Sequence, residues 1–183
     1  MDESELLAAT LTTTGTVIAG VAPEQGGRPT PCDGYDVDQL VDHLVGWAGS
    51  FAARLGGEPF EGEPAAYRCG PDPAGDFRAA AVSISAAYRA GTEASQALPL
   101  GVLLMEFLTH GWDLATATGQ DVHFEPAAAD RALAAGQQML KPEYRGPDQP
   151  FGPEVAVPAE AGRSVVSMRI VVVFPAPFRP RKP

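Results

Sequence analysis

Leu103-Leu104-Met105-Glu106-Phe107-Leu108-Thr109-His110-Gly111-Trp112-Asp113-Leu114 is among the most apolar stretches of this chain, yet it carries a glutamate and a histidine four residues apart. At that spacing on a helix both side chains leave from one face, where a carboxylate and an imidazole can hold one metal ion between them. At about 100° per residue, Glu106, Thr109, His110 and Asp113 share one stripe, while Leu103, Leu104, Met105, Phe107, Leu108 and Trp112 cover the rest of the surface. Two readings fit such a stripe. It is either the only solvent-facing side of a mostly buried helix, or the lining of a polar pocket inside a bundle.

Helical signals surround this segment. Pro99 and Gly119 bracket it, which predicts a helix ending at Thr118. Upstream, Asp72 as a cap and Pro73 at the first helical position open a helix through about Ala90, with Phe77, Ala80, Ala81, Ile84, Ala87 and Tyr88 on its core face and Gly91 as its stop. Asp36-Val37-Asp38-Gln39 combines an acidic cap with a glutamine three residues on. The helix it opens runs to about Leu55 and stops at Gly56-Gly57; Val37, Leu40, Val41, Leu44, Trp47, Ala48, Phe51 and Leu55 form its apolar arc.

Glu3 to Val21 carries Leu6, Leu7, Leu11, Val17, Ile18 and Val21 at three-and-four spacing and predicts the first helix, although its threonines lower helix propensity. A shorter helix is expected from Pro126 to Leu140. Four long helices and one short one predict an all-α fold, a four-helix bundle with no sheet.

A length of 183 residues suits one domain, and an apolar fraction of 45% is ordinary for a globular fold. The net charge of -10 leaves no field of Lys and Arg to neutralise phosphates, which argues against nucleic acid as a partner. Met1-Asp2-Glu3-Ser4-Glu5 is acidic where a secretory signal is basic, and no run of about 18 apolar residues occurs. The expectation is a soluble cytoplasmic protein with no membrane partner.

Histidines and cysteines are few. His43 lies just outside the apolar arc of its helix, from where it can reach across the bundle; a lone histidine there is more often a boundary residue than a ligand. His123, after Gly119-Gln120-Asp121, reads as a loop residue and not as a ligand. Cys32 and Cys69 sit in separate loops without CxxC spacing, and no Lys, Arg or His stands directly beside Cys32 in sequence to activate its thiol. Two reduced, unreactive thiols are expected. Tyr67, Tyr88 and Arg89 could line a pocket, but packing and solvation explain them more simply.

Thr30-Pro31-Cys32-Asp33-Gly34-Tyr35-Asp36-Val37 followed by Leu40-Val41-Asp42-His43-Leu44, and then Glu106-Phe107-Leu108-Thr109-His110-Gly111-Trp112-Asp113-Leu114-Ala115-Thr116-Ala117-Thr118-Gly119, closely resembles the actinobacterial branch of the DinB-like superfamily. More narrowly, about residues 1 to 160 resemble the metal-binding N-terminal domain of mycothiol-dependent maleylpyruvate isomerase. The resemblance implies an up-down-down-up four-helix bundle holding a divalent metal, usually zinc. The ligands it implies are His43, Glu106 and His110, with a fourth position open to water or a thiolate. Asp113 is then placed to orient His110 from behind, or is a plain surface carboxylate, and Asp113 or Cys32 could close the fourth position.

The activity implied is that of a metal-dependent thiol transferase or isomerase working with a low-molecular-weight thiol such as mycothiol and a small-molecule electrophile. The other reading is a noncatalytic metal-binding or ligand-binding bundle, which could form a homodimer. The isomerase carries a further C-terminal domain for which this chain leaves no room after about residue 160, so maleylpyruvate isomerisation itself is not implied.

The last segment departs from the family pattern. Arg163 to Pro183 holds five of the 13 basic residues and no acidic one, so residues 1–162 carry 8 basic against 23 acidic side chains, a net of -15. Val165 to Phe174 reads as a strand ahead of Pro-Arg-rich residues, where relatives of this length close with a short helix. The expectation is a bundle over 1–162 and a foreign or frameshifted, poorly ordered and dispensable tail over 163–183; the alternative is a genuine basic tail for a partner or an anionic surface.

Overall fold

The capping signals close as hydrogen bonds in the computed structural model, which describes residues 1–32, 34–139 and 141. Helix α1 (Glu3–Ala19) starts behind a capping box, in which Asp2 accepts from the Glu5 N–H and Glu5 from the Asp2 N–H. Helix α2 (Val37–Gly56) repeats the device with Asp36 and Gln39 and ends at Gly57, whose φ of 74° is left-handed. Asp72 caps α3 (Pro73–Ala90), and Gly91 ends it. A short α4 (Glu93–Gln96), capped by Thr92, precedes α5 (Leu100–Thr118) and α6 (Pro126–Met139). Sequence reasoning missed α4 because one turn carries no periodicity.

Contacts between helices set the topology. Thr14 Oγ1 donates to the Phe107 carbonyl, and Gln120 Nε2 to the Val17 carbonyl, so α5 runs parallel to α1. His43 faces Glu106 whereas Phe51, two turns further along α2, faces Phe107; with His43 also against His110, α2 runs antiparallel to α5. Gly15, late in α1, touches Phe77, early in α3, which makes that pair antiparallel. The order is up-down-down-up, with α1 between α3 and α5, and α2 packed against the same two helices from the other side.

Parallel α2 and α3 need a long return, and residues 58–71 supply it by running back along α2. Phe60 lies over Gly49, Pro64 and Tyr67 over Gly46, and the Cys69 N–H donates to Asp42 Oδ1 at 2.8 Å. A Cβ at position 46 would stand 2.6 Å from the Pro64 carbonyl oxygen, so glycine is what lets the return pack this closely.

Leu7, Leu40, Leu44, Phe77, Ile84, Leu103, Leu104, Phe107 and Leu108 are fully buried, and Phe107 takes edge-on contacts from Phe51 and Phe77. Each such side chain contributes about 1.5–3 kcal/mol by leaving water. This layer fixes α5 under its polar stripe. Among the described residues no helix is long and apolar enough to cross a membrane. The expected tail, 163–183, and its boundary at 162 lie outside the described residues.

Candidate metal centre

The stripe of α5 turns inward. Thr109, His110 and Asp113 are buried, and the side chains of Glu106, His43 and His110 are 12%, 13% and 1% exposed. The reading of the stripe as a solvent-facing side is therefore overturned. Packing on α1 and α6 explains why: Gly111 lies against Thr14 and Phe124, and Gly101 against Ala135, so small residues occupy the contacts and the polar residues are left facing α2 and the loop before it.

One helical turn of α5 presents Glu106 and His110 side by side, and α2 presents His43 opposite them. His43 Nε2 lies 2.7 Å from Glu106 Oε1, which is 3.8 Å from His110 Nε2, and the two imidazoles meet edge-on with centroids 4.8 Å apart. A nitrogen of each histidine and a Glu106 oxygen lie within 4.8 Å of one another, so the structure brings together all three residues singled out as ligands. A carboxylate only accepts, so His43 Nε2 carries the hydrogen in this arrangement. At its other nitrogen, Nδ1, the ring meets Tyr35 Oη at 3.2 Å. His123 is exposed beside Asp121 and does not join this set.

Electrostatics bind the set together without an ion. Burial opposes ionisation of Glu106, but the facing His110 and His43 outweigh it and hold its carboxyl below the usual range. Burial likewise opposes charge on His110; Glu106 outweighs that, aided by hydrogen bonding to Asp113 and Cys32, and pushes the imidazole up to about 10.

Two expectations about the surroundings change. Cys32, with no basic neighbour in sequence, is buried beside His110: its sulfur, an Asp113 oxygen and a His110 nitrogen lie within 4.8 Å of one another. Asp113 is no surface carboxylate, since its Oδ2 lies 3.7 Å from His110 Nδ1 and its side chain is buried. These two residues group with His110; the spacing on α5 already set Asp113 beside it, whereas the placement of Cys32 shows only in the fold. Tyr35, not singled out from sequence, sits on the same loop; its position one residue before the helix cap was the available signal. Cys69 is half-buried, and burial with the Asp42 carboxylate pushes its thiol up to about 12.

Tyr67 packs on Gly46 and Phe60, and the Tyr88 hydroxyl donates to the Leu98 carbonyl. Arg89 does line a cavity of about 530 Å³, together with Arg78, Leu11 and Phe77, but that cavity lies between α1 and α3, and none of the three candidate ligands lines it. Donor chemistry, not cavity size, marks the site.

No solved structure matches this chain. Two uncharacterised proteins of Mycobacterium tuberculosis, from different strains, are each 33% identical to it over 151 residues, covering 79% of this chain and 82% of the relative. Residues 7–115, which run from within α1 to within α5 and include all three candidate ligands, match the mycothiol maleylpyruvate isomerase N-terminal domain, and the chain belongs to that family.

Proposed function

We propose that the protein holds a divalent ion through His43, Glu106 and His110 and uses it in a thiol-dependent transfer or isomerisation. The carrying observation is the convergence of two imidazoles and one carboxylate from α2 and α5 within 4.8 Å. That donor set suits zinc among the common divalent ions. A bound ion of this kind lowers the pKa of a thiol or water at its open position and so supplies a nucleophile at neutral pH.

The chain's own residues provide the rest. Glu106 offers a charge that two neutral imidazoles lack, and its partial exposure, with that of His43, leaves one side of the set open to an incoming small molecule. The His43 ring meets Tyr35 edge-on and Trp47 at a tilt, contacts that would hold it in place if its Nε2 took an ion. Membership in the mycothiol family favours a low-molecular-weight thiol of the mycothiol type as cosubstrate, acting on a small electrophile in the cytoplasm.

Elemental analysis of the purified protein tests the reading. About one zinc or similar ion per chain is expected, lost in His43→Ala and in Glu106→Ala, followed by thiol-dependent turnover of electrophiles. A folded wild type without metal sinks the reading; a metal that is bound but closed to exchangeable water points to the noncatalytic bundle instead.

A further inference from the structure

The loop entering α2 reaches both histidines from behind. Residues 28–32 and 34–37 are pinned together: Thr30 N–H donates to the Tyr35 carbonyl, Tyr35 N–H to the Cys32 carbonyl and Val37 N–H to the Arg28 carbonyl, while Thr30 Oγ1 bonds the carbonyls of both Cys32 and Tyr35. Cys32 and Tyr35 are thereby held at opposite corners of one turn. Tyr35 Oη meets Nδ1 of His43; the Cys32 sulfur groups with Asp113 and a nitrogen of His110, whose Nδ1 lies 3.7 Å from Asp113 Oδ2. In both rings Nε2 is the nitrogen that faces Glu106.

We propose that this loop is a positioning clamp for the metal centre: Tyr35 holds the rear nitrogen of His43, Cys32 with Asp113 holds that of His110, and Cys32 serves there as neither ligand nor nucleophile. The proposal rests on the metal reading above. An imidazole that ligates through Nε2 carries its hydrogen on Nδ1, and a partner at Nδ1 fixes that tautomer and the ring's orientation. A phenol can accept that hydrogen from His43 as readily as it donates to Nδ1 in the metal-free ring. For His110 the acceptor is the Asp113 carboxylate, and the Cys32 thiol, buried beside the same ring, packs against that pair. One loop therefore couples the geometry of two ligands that belong to different helices.

The test is zinc affinity measured by chelator competition on folded variants. Tyr35→Phe, which keeps the ring against His43, Asp113→Asn and Cys32→Ala are each expected to weaken zinc about 10–100-fold, with Cys32→Ser intermediate. Losses from Tyr35→Phe and Asp113→Asn should multiply, because they act on different histidines. Those from Cys32→Ala and Asp113→Asn should not, because they share one. Cobalt-loaded wild type should lack a thiolate-to-metal charge-transfer band, and nitrogen NMR should place the hydrogen of both rings on Nδ1 in the zinc form. A charge-transfer band lost in Cys32→Ala makes Cys32 a ligand and overturns the clamp. Unchanged affinity in Tyr35→Phe and Asp113→Asn overturns it even if Cys32→Ala fails to fold. Wild type that binds no zinc overturns the metal reading itself, a distinguishable result.

Discussion

Glu106 sits where it must compensate two imidazoles at once, which makes it the most sensitive position of the set. Glu106→Gln keeps the shape and removes the charge; zinc binding is expected to weaken by at least about 100-fold, since an anionic oxygen ligand is replaced by a neutral one. Proton linkage gives a second expectation. His110 titrates at about 10 in the metal-free chain, raised by Glu106 against the penalty of burial, so at pH 7 it is protonated and must lose that proton to ligate. Zinc titrations in buffers of different ionisation enthalpy should therefore show proton release at pH 7, and affinity should climb with pH.

The same shift makes a stability statement. A raised pKa stabilises the metal-free fold fully below the ordinary value of 6.5, and that contribution disappears as pH rises toward about 10. Denaturant midpoints of metal-free protein should fall across that window. Cys69, pushed up to about 12 by burial and Asp42, should alkylate at pH 8 far more slowly than a free thiol; reaction at the ordinary rate would mean that the return segment does not pack as described.

At the scale of elements, the site depends on how tightly the neighbours of α2 and α5 approach. Gly46→Ala would drive a methyl into the Pro64 carbonyl and Tyr67, and a cost of about 1–3 kcal/mol in urea unfolding is expected, with metal content retained because Gly46 meets the return segment whereas His43, one turn away, meets Glu106 of α5. Asp36→Ala removes one half of the box that starts α2 and should cost about 1 kcal/mol. Element boundaries were legible in advance wherever a cap or a glycine marked them: Asp36 with Gln39, Asp72 with Pro73, and Gly91 and Gly119 all act as read. The threonines of α1 lower propensity, but Thr10, Thr12, Thr14 and Thr16 bond carbonyls four residues back, and Thr14 also bonds α5, so a local weakness serves a tertiary contact.

Across the whole molecule, an ion shared by α2 and α5 would tie together helices that are 63 residues apart at His43 and Glu106. Metal binding to the folded state alone should add about 2.7 kcal/mol when free zinc stands at a hundred times its dissociation constant, so chelation should lower the melting temperature of the wild type and leave that of Glu106→Gln unchanged. Periodicity and caps, which are local, were enough to determine a helical bundle and to set Glu106 beside His110, because a four-residue spacing on a helix brings two side chains together whatever surrounds them. Whether their stripe faced water or the interior depended on which side of α5 met α1 and α6, and Gly111 and Gly101 announce that only once their partners are in place. The nearness of Cys32 to His110 and Asp113, and of Tyr35 to His43, likewise depended on the path of a loop between two helices, since such contacts are set by packing and carry no spacing that a sequence can display.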